Sequence, residues 1–190
     1  DMVFSPINVS WACLMRARTL QDVQELDIGP ALGRLPLITM PQRLGCGDVP
    51  LWDRWIAHPT LDNYWRDHAV TTFIAKVRAP VLQISGWYDD EQIGTPLNYA
   101  AMVAAGRDGQ RLLMGPWGHA VNTTRILGEV DFGKDAVIDL DAAMTAFLDE
   151  HLTDGEVEPA AAPVRIFLMG ANEWRDESAW PPAGCSPREW

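Results

Sequence analysis

The 190 residues include 47% hydrophobic and 22% charged side chains, a composition that is typical of globular proteins and excludes a disordered chain. The formal net charge of −11 would repel a phosphate backbone, and the Lys and Arg residues form no run, so we expect no nucleic-acid partner. Apolar stretches such as Ala100–Ala105 are far below the roughly 20 residues of a membrane span, so we expect no membrane partner either.

Residues 1–70 are predicted to be helical but irregular. Apolar residues recur at near-helical spacing over Val9–Leu20 and again over Pro50–Trp65. Between these stretches, glycines and prolines such as Gly29-Pro30, Leu35-Pro36 and Gly45-Cys46-Gly47 interrupt any long element. This pattern is typical of a lid or cap and not of a sheet.

From Thr71 onward the pattern is that of an α/β protein. A strand is predicted from Pro80 to Ile84, because the residue before a proline is disfavoured in a helix. A helix over residues 95–105, a turn at residues 106–109 and a strand at Arg111–Met114 follow. Strand, helix and strand in this order predict a βαβ unit of a parallel sheet.

The end of the chain is predicted to contain one more helix and one more strand. The helix runs from about residue 136 to Leu152, and Thr153-Asp154-Gly155 ends it. After a link rich in Pro and Ala, Val164–Met169 is a predicted strand. We expect a different domain to begin there.

Two motifs follow the two strands of the βαβ unit. The first strand leads into Gly86-Trp87-Tyr88-Asp89, and the second leads into Gly115-Pro116-Trp117-Gly118-His119. The carboxyl ends of parallel strands meet at one edge of a sheet, where sites form. Alone, either motif indicates an acidic loop or a structural histidine. An acid followed by a histidine, each after a strand, favours the last two members of a Ser…Asp…His series.

The chain lacks the first member of that series. None of its five serines lies in a G-x-S-x-G motif; they are Ser5, Ser10, Ser85, Ser178 and Ser186. We therefore expect the chain to be a piece of a longer protein. No signal peptide is visible, but this leaves the compartment open, with the cytoplasm preferred to secretion.

No cofactor or metal ion is predicted. The four histidines have no H-x-x-x-H spacing, and no glycine-rich phosphate loop is present. Cys13, Cys46 and Cys185 are widely separated and form no C-x-x-C motif, so we interpret them as free thiols.

Four segments resemble the bacterial cocaine esterase family, which is related to the X-prolyl dipeptidyl peptidases and the α-amino acid ester hydrolases. They are His58–Trp65, Ser85–Asp89, Gly115–His119 and Phe167–Glu177. The resemblance implies a partial α/β-hydrolase fold: a helical cap over residues 1–70 and the C-terminal part of the hydrolase core over residues 71–157. Residues 158–190 would then be a linker and the first strand of a β jelly-roll domain.

The resemblance also implies roles for four residues. Asp89 would be the triad acid and His119 the general base, with the nucleophilic serine upstream of Asp1. Trp11 matches a cap tryptophan that lines the acyl pocket. Glu91 stands where the esterase has an aromatic residue, and it provides half of the acidic pair that binds the substrate ammonium in the amino acid ester hydrolases. An amine-binding role and an exposed loop charge remain open for Glu91.

The sequence thus predicts part of a serine hydrolase that acts on carboxylic esters, with amides or acyl-peptides as less favoured candidate substrates. Its partners would be a small ester or acyl substrate and the rest of the same polypeptide, namely the N-terminal core and the jelly roll. One alternative is an X-prolyl dipeptidyl peptidase or α-amino acid ester hydrolase. Another is a non-catalytic fragment or interaction module. A G-x-S-x-G or G-x-S-Y motif upstream would exclude that last alternative.

Overall fold

The structure is a computed structural model that describes residues 8–19, 26–153 and 162–186. The chain divides into two compact units, Asp1–Ala69 and Val70–Trp190. Within the described ranges, no helix is both long enough and apolar enough to cross a bilayer.

The first unit is built from short helices around a small apolar core. Trp52 and Met40 are fully buried in this core, and the Trp52 indole donates a hydrogen bond of 3.0 Å to the Leu37 carbonyl. A 3₁₀ turn covers Leu37–Thr39. The helices are α1 (Asn8–Leu14), α2 (Ile28–Leu32), α3 (Met40–Arg43), α4 (Pro50–Ala57) and α5 (Asn63–Arg66).

Two of the predicted helical stretches are shorter than expected. Helix α1 ends at Leu14, and the last predicted residue, Leu20, lies outside the described residues. The stretch from Pro50 is divided because His58 precedes a proline and has φ −117° and ψ 68°, outside the helical region. A new helix, α5, then begins where the Asp62 carboxylate accepts a hydrogen bond from the Tyr64 amide.

The second unit contains a four-stranded sheet in the order β1-β2-β5-β6. Strands β1, β2 and β5 are parallel, and β6 pairs antiparallel with β5. A separate two-stranded hairpin, β3-β4, lies between β2 and the last helix in sequence. The elements are β1 (Val81–Gly86), α6 (Gly94–Ala104), β2 (Gln110–Gly115), β3 (Ile126–Leu127), β4 (Val130–Asp131), α7 (Leu140–Leu152), β5 (Val164–Leu168) and β6 (Glu173–Glu177).

The predicted βαβ unit is confirmed. Strands β1 and β2 are joined by α6, and Gly86 and Gly115, the last residues of the two strands, are register partners. Tyr99 of α6 packs with Leu112 and Met114 of β2 in a buried cluster. This packing explains why the linking segment is a helix, since it covers the apolar face of two parallel strands.

The last predicted strand is confirmed, but its place differs from the expectation. Strand β5 continues the sheet of β1 and β2, with Val164 in register with Leu112. Its buried side chains Val164 and Ile166 join the cluster around Met114. Residues 164–168 therefore extend the α/β sheet, whereas the sequence analysis placed them in a separate jelly-roll domain. A jelly roll beyond this strand stays a prediction.

Candidate active site

The two motif loops are tied together at the carboxyl edge of the sheet. The Trp87 amide donates to the Gly115 carbonyl at 2.9 Å, and the Tyr88 amide donates to the Trp117 carbonyl at 3.0 Å. Because each bond joins one loop to the other, the residue after Tyr88 is held beside the loop that carries His119.

Gly86 and Gly115 are required for this close approach. A Cβ atom on Gly86 would lie 2.0 Å from the Trp117 carbonyl oxygen, and one on Gly115 would lie 2.3 Å from the Trp117 ring. The buried indole of Trp117 is itself fixed, since its Nε1 donates to the Ala136 carbonyl at 2.7 Å. His119 therefore follows a rigid anchor two residues earlier.

Asp89 and His119, the acid and base of the sequence prediction, form a hydrogen-bonded pair. His119 Nδ1 lies 3.1 Å from Asp89 Oδ1, although the residues are 30 positions apart. The Asp89 side chain is 11% exposed and the His119 side chain is 73% exposed. An ionised carboxylate only accepts hydrogen bonds, so Nδ1 carries the proton and Nε2 keeps its lone pair. That nitrogen is then available to remove a proton.

Asp89 is held in its ionised form by three donors. The Glu91 amide donates to Oδ1 at 3.1 Å, and the Ser85 hydroxyl donates to Oδ2 at 3.3 Å. Partial burial raises the pKa of Asp89, but the hydrogen bonds from Glu91, His119 and Ser85 and the charge of His119 together outweigh it. The pKa of Asp89 is therefore lowered from its ordinary value.

The surrounding carboxylates make His119 a stronger base. The hydrogen bond from His119 to Asp89 and the Asp89 charge raise the pKa of His119 above its ordinary value, and the charges of Glu91 and Asp90 add to this. The imidazolium that forms when His119 accepts a proton is thus stabilised by its neighbours.

One ligand atom each from Asp89, Asp90 and His119 lies within 4.8 Å of the others, a spacing that could hold a metal ion. No metal site was predicted from the sequence, because the prediction considered the spacing of the histidines and of the cysteines and not the acidic residues beside a distant histidine. A metal ion on Nδ1 would replace the proton that this nitrogen shares with Asp89. Metal binding through Nδ1 and the hydrogen-bonded pair therefore exclude each other.

Cys13 and Ser85 are both buried, so neither side chain is accessible to a substrate. Burial raises the pKa of Cys13 to about 12, with a further rise from the neighbouring Cys46, so this thiol stays protonated at neutral pH. Ser85 is buried and donates to the acid of the pair. Cys13, Cys46 and Cys185 are free thiols, as the sequence analysis expected.

The two predicted substrate-binding residues are accessible to solvent. Trp11 lies on α1 in the first unit and is 56% exposed. Glu91 is exposed in the Asp89 loop and is close enough to raise the pKa of His119 by its charge. Two further contributors to the site had no assigned role in the sequence analysis, namely Ser85 and the Trp117 anchor. The sequence indicated them only as members of the segments Ser85–Asp89 and Gly115–His119, which resemble the esterase family.

A comparison with protein-family models finds a match that runs from residue 13 to residue 121. Over this range, more than half of the chain, the sequence matches the model of the X-Pro dipeptidyl-peptidase (S15 family). The chain belongs to the S15 family. The matched range includes Asp89 and His119, so the hydrogen-bonded pair lies inside the part of the chain that defines the family.

Two relatives of the chain found by sequence are named as esterases. The chain is 34% identical over 162 residues to the cocaine esterase of Rhodococcus sp., covering 82% of this chain and 27% of that protein. It is 29% identical over 125 residues to a putative serine esterase of Mycobacterium bovis, covering 63% of this chain and 18% of that one.

Two solved structures have a similar fold. An aminopeptidase from a marine sediment Thaumarchaeota archaeon superposes with a TM-score of 0.76 at 24% identity, covering 92% of this chain and 30% of that one. An α-amino acid ester hydrolase superposes with a TM-score of 0.64 at 26% identity, covering 76% and 25% respectively. The chain thus spans less than a third of the length of these relatives.

Proposed function

We propose that this chain is the acid-and-base portion of an S15-family serine hydrolase that cleaves carboxylic esters. Asp89 orients His119, and His119 transfers protons to and from a serine that precedes residue 1 in the full-length protein. The observation that carries the proposal is the 3.1 Å hydrogen bond between His119 Nδ1 and Asp89 Oδ1, which leaves Nε2 as the basic nitrogen.

The proposed reaction has two proton transfers through the same nitrogen. His119 Nε2 takes the serine proton as the serine oxygen attacks the ester carbonyl, and it returns that proton to the departing alcohol, which leaves an acyl-enzyme. Water then attacks the acyl-enzyme while Nε2 takes its proton, and the acid is released as the proton returns to the serine. Asp89 stays ionised throughout and stabilises the imidazolium.

An ester substrate is favoured over a peptide by the two relatives found by sequence. The cocaine esterase is 34% identical to this chain, and the Mycobacterium protein is also named as an esterase. The exposed Trp11 indole supports an acyl-binding role, since an accessible aromatic face suits an apolar acyl group. The alternative, cleavage after an X-Pro dipeptide, is the activity in the name of the family.

Glu91 is proposed to bind a substrate ammonium group, and its charge gives a prediction about pH. The base is the neutral form of His119, so activity falls as pH decreases through the pKa of His119. Glu91 raises that pKa. Glu91→Gln is therefore expected to lower it and to shift the acid limb of kcat/KM to lower pH, measured on one ester across pH at low ionic strength.

The same variant tests amine binding. For an ester with a free α-amino group, Glu91→Gln should raise KM, while an ester without that group should keep its KM. The pH shift should shrink at high salt, since the exposed charge is screened over about 10 Å at 0.1 M. An acid limb that stays in place at low salt would show that Glu91 does not act on His119.

A labelling experiment tests the proposed reaction directly. The full-length gene product should react stoichiometrically with a fluorophosphonate at a serine upstream of residue 1 and should hydrolyse p-nitrophenyl esters. The 190-residue chain alone should do neither, since it has a base but none of its serines lies in a G-x-S-x-G motif. Labelling at one of its own five serines would overturn the proposal.

The second candidate function is a non-catalytic interaction module, which the missing nucleophile favours. The same experiment separates the two candidates. If the full-length product carries no serine that labels and hydrolyses no member of an ester and X-Pro peptide panel, the non-catalytic candidate is correct.

A further inference from the structure

We propose that Ser85 is a positioning residue for the triad acid, an inference that rests on the proposed function. Ser85 is the penultimate residue of β1, and its side chain is 3% exposed. Its hydroxyl donates to Asp89 Oδ2 at 3.3 Å. The Ser85 hydroxyl thus approaches Asp89 from strand β1, whereas the other two donors, His119 Nδ1 and the Glu91 amide, lie in loops.

The distribution of donors shows what Ser85 adds. His119 and the Glu91 amide both bind Oδ1, whereas Ser85 binds Oδ2. The last torsion of an aspartate side chain is broad and weakly restrained. Donors on one oxygen allow the carboxylate plane to turn about that oxygen, but a third donor on the other oxygen fixes the plane. The direction in which Asp89 Oδ1 accepts the hydrogen bond from His119 Nδ1 is then fixed as well.

The burial of Ser85 points the same way. In the part of the chain that the structure describes, Ser85 and Gln110 are the buried polar side chains. A buried hydroxyl without a partner is destabilising, and an apolar residue would pack equally well in a strand. Ser85 lies opposite Met114 in the register of β1 and β2, so its backbone position is set by the sheet. Among the described residues, the hydrogen-bond partner of its hydroxyl is the Asp89 carboxylate.

The test uses the full-length protein with Ser85→Ala and Ser85→Thr, each in the wild-type and Asp89→Asn backgrounds. Ser85→Ala is expected to lower kcat about tenfold, the loss of one hydrogen bond to a charged group, with KM unchanged. Ser85→Thr keeps the hydroxyl and should retain most of the activity. In the Asp89→Asn background, Ser85→Ala should change kcat less than about twofold, because residues that act through one another are not additive.

The outcomes separate this inference from the proposed function. Full activity of Ser85→Ala, or an equal loss in both backgrounds, overturns the positioning role, whereas a crippled Asp89→Asn variant still supports the triad. Full activity of Asp89→Asn overturns both. Ser85→Cys, which has similar volume and a weak donor, is measured beside Ser85→Ala, and thermal unfolding of each variant identifies a loss that is merely structural. A Ser85→Cys variant that is as stable and active as wild type also counts against the inference.

Discussion

Asp89→Asn in the full-length protein is expected to lower kcat by about 10⁴ while leaving the fold intact. In the structure, Asp89 Oδ1 accepts the His119 Nδ1 proton, which fixes the tautomer with a basic Nε2. An amide in place of the carboxylate can donate to Nδ1, which moves the proton to Nε2 and removes the base. Steady-state kinetics on one good ester, with thermal unfolding as a check on folding, measures the effect.

Asp90→Asn is the matched control for this change. Asp90 has the same charge, is the next residue, and has an oxygen within 4.8 Å of the Asp89 and His119 ligand atoms. It is exposed, and it affects His119 through its charge, the last and smallest of the influences on that pKa. Asp90→Asn should therefore cost far less than Asp89→Asn. If Asp90→Asn proves the crippling change, Asp90 and not Asp89 is the triad acid.

His119→Ala completes the set. It should be at least as damaging as Asp89→Asn, and the double variant should be little worse than His119→Ala alone, since members of one catalytic unit act together. Effects of the two single changes that multiply in the double variant would mean that the residues act independently. The proposed pair would then be wrong.

The sequence predicted best those elements whose ends are marked by a nearby proline or glycine. Strand β1 begins after Pro80, and α6 ends just before the Gly106 turn, as expected. The first unit also has glycines and prolines between its helices, but these residues alone did not predict where each short helix begins and ends. Its helices are short segments around the buried Trp52, so their ends depend on packing between distant residues, which periodicity does not report. The strand at Val164 was predicted from its apolar run. Its pairing with β2 was not predicted, because that pairing depends on tertiary packing.

The residues of the site also differ in how well the sequence predicted them. The order and spacing of Asp89 and His119 after two strands were sufficient to select them, because parallel strands place such residues at one edge. The contribution of Ser85 could not be seen, since a serine inside a strand has many roles and its hydrogen bond depends on a loop that turns back. The convergence of Asp90 with Asp89 and His119 was not predicted, because the metal-site prediction considered only the spacing of histidines and of cysteines along the chain.

Gly86→Ala is expected to be among the most destabilising single substitutions at the site. Its Cβ would lie 2.0 Å from the Trp117 carbonyl oxygen, which is a backbone atom that accepts the Tyr88 amide hydrogen bond. The two loops must move apart to make room for this Cβ atom, which should lower the free energy of unfolding by about 1–3 kcal/mol or more. The same movement should disrupt the hydrogen bond between Asp89 and His119. Thermal unfolding and kcat of the full-length protein measure both effects.

Alanine substitutions at two other glycines, Gly115 and Gly118, should destabilise the protein less as their Cβ atoms come less close to a neighbour. Gly115→Ala should also destabilise, since its Cβ would lie 2.3 Å from the Trp117 ring, which the Ala136 hydrogen bond holds in place. Combining it with Trp117→Ala removes the obstacle, so the double variant should be less than additive. Gly118→Ala is the matched control, because its Cβ would meet Leu127 Cδ2 at 3.8 Å, an ordinary contact. If Gly118→Ala destabilises as much as Gly86→Ala, the crossing at Trp117 is not what requires glycine at the strand ends.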